Sequence, residues 1–184
     1  MSVQSLLKER KEKLIKKWFD LVADTYPPQT SEFLKSKKNQ FLNPVGFSLK
    51  DGLSGICDEL SSNMDETSLK KYLDEIIRIR AIQDFSPSEA VSFVFQLRNV
   101  FEEVLFNDLK DEDKQTLNLM IDKVALIAFD IYMQCREDLF EVRVREAEKR
   151  NFRLLQVANQ LMELKDERVN ALVTGVIDNE KGEG

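Results

Sequence analysis

The chain of 184 residues contains no histidine at all. That absence removes the usual general base, the usual proximal haem ligand and the commonest zinc ligand. It also excludes serine–histidine and cysteine–histidine nucleophile pairs. Two cysteines, Cys57 and Cys135, are too few for a disulfide framework and fit a reducing cytoplasm. Long hydrophobic runs are missing as well: the longest, "VALIAF" at 124–129, is stopped by Asp130, far short of a membrane span. The first nineteen residues carry charges throughout, so they do not read as a secretory signal. A net charge of −6 argues against general nucleic-acid binding. No P-loop, GxGxxG or metal-ligand cluster is present.

What the chain does hold is helical patterning. Its four prolines all mark boundaries, and between Ser88 and Thr174 there is neither proline nor glycine. No stretch alternates with period two, so the expected fold is all-α. "TYPPQTSEF" (25–33) closes a first helix that carries Leu7, Leu14, Ile15, Trp18, Phe19 and Val22 on one side. A short helix is predicted over 31–38. "FLNPVGFSL" (41–49) opens a further helix with Asn43 as cap and Pro44 at its first position. Another runs from about 66 to 82. The stretch "QDFSPSEAVSFVFQLRNVFEEVLF" (83–106) is the most explicitly punctuated. Ser86 and Glu89 form a capping box around Pro87, and Phe85 is placed to staple the entering chain. Its apolar stripe is widened by Val91, Phe95 and Phe106, which predicts neighbours on more than one side.

Beyond the polar turn at 107–115, with Asp111 or Asp113 as cap, the pattern runs on unbroken. Leu117, Met120, Ile121, Val124, Leu126, Ile127, Phe129 and Ile131 are expected in the same core. The character then changes. Phe140, Val144, Ala147, Asn151, Leu155, Ala158, Met162, Lys165, Val169 and Leu172 follow a three- and four-residue spacing with a stutter near Asn151. So narrow a seam needs a partner, most simply the same helix of a second subunit; the alternative is a helix folded back on its own domain. The predicted organisation is a helical domain over 1–138, an exiting helix over 139–174 and a disordered tail over 175–184. The candidate dimer interface comprises Phe140, Val144, Ala147, Leu155, Ala158, Met162 and Val169.

Candidates for chemistry are few. Gly46, Gly52 and Gly55 share one helix, and read as close helix packing first and as a ligand gap second. Arg78 and Arg80 lie near Asp84 in sequence, either as surface ion pairs or as a buried pair or anion contact. Gly46, Arg80 and Asp84 are therefore the candidate ligand or partner contacts. The cysteines read as small core hydrophobes, with a thiolate haem ligand as the remote alternative. No cofactor, metal site or catalytic group is expected.

Taken together, "KKWFDLVADTYPPQTSEFLKSKKNQFLNPVGFSLKDGL" and "IIRIRAIQDFSPSEAVSFVFQLRNVFEEVL" resemble the N-terminal domain of the RsbT co-antagonist proteins of the RsbRD type. The resemblance covers about residues 14–140. It implies a sensory or regulatory input module of bacterial stress or sensor-kinase signalling, globin-like without haem, dimeric, and passing its signal through an exiting helix to a protein partner. The family usually joins this module to a STAS domain or a kinase. The sequence shows neither, which suits a stand-alone module or part of a larger protein. A helical pocket holding a small apolar ligand is the competing expectation, and an enzyme the least favoured.

Overall fold

The computed structural model describes residues 3–36, 40–105 and 108–180. Among them it is all helical: α1 (Val3–Ala23), α2 (Pro28–Ser36), α3 (Pro44–Leu60), α4 (Glu66–Ile82), α5 (Pro87–Leu105) and α6 (Asp111–Glu180). The chain forms two compact units, Met1–Glu137 and Asp138–Gly184.

The first unit is built around α1, α3 and α5. Trp18 is fully buried, stacks on Phe93 at 5.9 Å, and donates its indole N–H to the Phe93 carbonyl at 2.7 Å. A buried indole needs such an acceptor, because an unpaired N–H in the interior costs free energy. Leu49, Leu53, Ile56 and Leu60 of α3 meet Leu69, Leu73, Ile76 and Ile77 of α4 in the same core. These two helices approach closely because α3 lacks side chains where they meet. A Cβ at Gly55 would lie 2.3 Å from Tyr72 Cδ1, and one at Gly52 2.9 Å from Ile76 Cγ1.

Caps set the helix starts. Asn43 Oδ1 accepts from the Gly46 N–H, and its Nδ2 donates to the Leu34 carbonyl, joining the end of α2 to the start of α3 (both 2.9 Å). Asp65 caps α4 through the Ser68 N–H. At α5, Glu89 reaches back to the Ser86 N–H at 2.9 Å, while the Glu89 N–H is a long 3.4 Å from Ser86 Oγ. Phe85 packs with Tyr26 and Arg80. At α6 the Asp113 carboxylate accepts the Lys110 N–H.

Two expectations are corrected. Leu126 and Phe129 are exposed: α6 buries Leu117, Ile121, Val124, Ala128, Tyr132 and Cys135, and the helical period of about 3.6 residues carries Leu126 and Phe129 to the other side. Phe95 is likewise exposed on α5, while Phe106 lies outside the described residues. Helix α6 runs through Gly175 to Glu180; one glycine costs about 1 kcal/mol, too little to stop a helix by itself. Residues 181–184 lie outside the described residues.

Candidate functional site

Of the candidate contacts, Arg80 has the most unusual surroundings. It is fully buried near the end of α4. Its Nη1 donates to Thr25 Oγ1 at 3.1 Å and its Nη2 to the Glu89 carbonyl at 2.9 Å. The guanidinium carbon lies 4.2 Å from the Phe85 ring centre, 5.6 Å from that of Tyr26 and 5.8 Å from that of Phe93. Ring faces and two oxygens thus hold a charge that burial disfavours, and desolvation pulls its pKa below the ordinary arginine value. Burial pushes the Tyr26 phenol up, opposed by the nearby guanidinium. Tyr26 Oη and Arg80 Nε are buried and make no hydrogen bond. The arrangement draws together the turn after α1, the end of α4 and the first turn of α5.

Asp84 belongs to the same turn but faces outward. It has a positive φ of 59° and is 78 % exposed, with one carboxylate oxygen 3.9 Å from Arg136 on α6. One residue on, the Phe85 carbonyl accepts from Tyr132 Oη at 2.7 Å. The α4–α5 turn is therefore tied to α6 at two points. Arg78 pairs with Asp74 one helical turn earlier. Gly46 is buried against its own cap, where a Cβ would lie 2.3 Å from Asn43 Nδ2. The space at all three glycines of α3 is filled by Asn43, Tyr72 and Ile76, which is the packing reading of the sequence.

Both cysteines are buried, and burial pushes the Cys57 thiol up to about 12. At neutral pH it is a protonated thiol, a poor nucleophile and a poor metal ligand. Among the described residues no group of three histidine, cysteine, aspartate or glutamate side chains is placed to hold a metal. An open groove of about 460 Å³ runs between the end of α5 and the start of α6, lined by Arg98, Phe101, Glu102, Leu109, Lys114, Leu117 and Asn118. Its lining mixes both charge signs. No helix among the described residues is long and apolar enough to cross a membrane.

The second unit presents the seam. Phe140 is 69 % exposed, Leu155 62 % and Met162 64 %; Val144 and Val169 are exposed too, and Ala147 and Ala158 half-buried beneath longer neighbours. A second apolar row, which the sequence reading passed over, is just as bare: Leu154, Val157, Leu161 and Leu164. Its signal was legible, since those four positions follow a 3-4-3 spacing. The apolar band between 154 and 164 is therefore wider than a narrow two-stranded seam.

An uncharacterized protein of Archaeoglobus fulgidus is 27% identical over 143 residues, covering 75% of this chain and 85% of that protein. No solved structure matches. Residues 12–147, which run from the middle of α1 into the first part of α6 and include Trp18, the Arg80 cluster and the α4–α5 turn, match the family described as the RsbT co-antagonist protein rsbRD N-terminal domain, and the chain belongs to that family.

Proposed function

We propose that the protein is a non-enzymatic input module of stress or two-component-type signalling, cytoplasmic, globin-like without haem, and dimeric through its C-terminal helix. It acts on a protein partner or output domain by small shifts or rotations of that helix, as bistable helical interfaces allow. The observation that carries this reading is the uncovered apolar seam from Phe140 to Val169. Two rows of large apolar side chains in water are favourable only when another surface covers them. The double tie of the α4–α5 turn to α6, through Tyr132 and Arg136, supports a route by which a change around Arg80 reaches that helix. The family supports the regulatory role.

The test is the solution mass of the full chain beside that of a Leu155→Glu/Met162→Glu variant. A wild-type dimer is expected, with a monomeric variant that keeps the thermal transition of the first unit. A variant that remains dimeric would remove the seam from the interface. The visible absorption spectrum of the same sample, expected to lack a Soret band, tests the haemless reading.

A further inference from the structure

The corner between α2 and α3 differs from the rest of this acidic chain. From Phe33 to Lys50 the sequence carries four lysines and no aspartate or glutamate, with Glu32 and Asp51 just outside, whereas the whole chain has a net charge of −6. The same corner exposes large apolar side chains: Phe41 is 92 % exposed, Leu42 58 %, Phe33 47 % and Phe47 43 %. One hydrogen-bonded clasp gathers them. The buried Asn43 side chain joins the Leu34 carbonyl to the Gly46 N–H, and Phe33, Leu42 and Phe47 are the chain neighbours of those three residues. Lys35 pairs with Asp24 at 2.6 Å, while Lys50 is exposed one turn beyond Phe47 on the same side of α3. Four side chains of roughly 200 Å² when fully bare leave on the order of 400 Å² of apolar surface at these exposures. A patch of that size marks an interaction site.

We propose that this corner docks on an anionic lipid surface, with Phe41 and Leu42 entering the headgroup layer and the lysines lying against its charge. The inference goes beyond the signalling reading above and does not depend on it. Two observations select a lipid surface over a protein. The first is composition. Lysine beside phenylalanine and leucine is the make-up of segments that lie in a membrane interface. The centres of protein interfaces favour tyrosine, tryptophan, arginine and methionine and are poor in lysine. Residues 33–50 contain none of those four types. The second is placement. Phe41 and Leu42, the two most exposed apolar residues of the corner, are adjacent in the turn that leads into α3. A fluid headgroup layer admits such a pair without a shaped pocket. An anionic surface repels the chain as a whole, so the acid-free corner decides which side approaches it.

The experiment is flotation of the full chain with vesicles of phosphatidylserine and phosphatidylcholine in equal parts, beside vesicles of phosphatidylcholine alone, over a lipid titration. Wild type is expected to bind the anionic vesicles at least about tenfold more tightly, with binding that weakens as salt rises. Phe41→Ser/Leu42→Ser should weaken that binding about thirtyfold or more at an unchanged melting temperature. If that variant melts early, Lys50→Glu replaces it, with a fall of about tenfold expected. A wild type that floats with neither vesicle overturns the membrane contact and leaves the corner to an acidic protein surface. Equal binding to both vesicles overturns the role of the lysines. A folded Phe41→Ser/Leu42→Ser protein that binds like wild type overturns the assignment to this corner.

Discussion

Between Leu117 and Cys135, helix α6 sinks Leu117, Ile121, Val124, Ala128, Tyr132 and Cys135 into the core of the first unit. Between Phe140 and Val169, the same helix leaves Phe140, Val144, Leu154, Leu155, Leu161, Met162 and Val169 in the open. Both stretches use similar residues at similar spacing. The difference is that the first stretch joins the core of the first unit, and the second has nothing in its own unit but itself. Helical periodicity reports that a face seeks cover; it does not report whether the cover lies in the same chain.

The largest effect expected from disturbing this contrast is at Ile121, fully buried on the inner face. Ile121→Ala should lower the unfolding free energy of the first unit by about 2–5 kcal/mol, through lost burial and the cavity left behind. Urea unfolding followed by circular dichroism reads it directly. A loss under about 1 kcal/mol would mean that α6 is not integral to that core.

Alkaline pH loads the first unit by a different route. The folded Cys57 thiol holds its proton up to about 12, whereas the unfolded thiol has its ordinary value of 9.0. Between those values the unfolded state binds fewer protons, so stability is full below about pH 9 and falls as pH rises toward 12. The slope from this group is up to about 1.4 kcal/mol per pH unit. Cys57→Val should flatten the decline in a series of denaturation curves from pH 8 to 11. An equally steep decline in the variant would assign it to other groups.

The smallest effect on folding belongs to the second stretch. Leu155→Ala, at a site 62 % exposed, should change the stability of the first unit by no more than about 0.5 kcal/mol while weakening association. Concentration-dependent melts separate the two. A fall comparable to that of Ile121→Ala would show that Leu155 is packed within its own chain.

Much of the helical frame was legible beforehand because its signals are local. Asn43–Pro44, Ser86–Pro87–Glu89 and the apolar spacings of α1, α3 and α4 each specify a helix within a few residues of themselves. The pairing of Arg80 was not legible. Sequence placed it near Asp84 and offered an ion pair, but its hydrogen bonds go to Thr25, fifty-five positions away, and to the Glu89 carbonyl, and neither is a charged group that a pattern would nominate. Leu126 and Phe129 misled for a related reason. They are as apolar as their buried neighbours, and only the direction from which the rest of the first unit meets α6 decides which side is inside.

The sequence by itself determined that this chain is helical, that it has no histidine chemistry, and that its last long helix carries more apolar surface than one face needs, since composition and spacing are properties of the chain alone. The tertiary structure decided which of those apolar faces is core and which is bare, why α3 has glycines, and where the buried arginine finds its partners. Those outcomes depend on contacts between segments far apart in sequence, which no local pattern encodes.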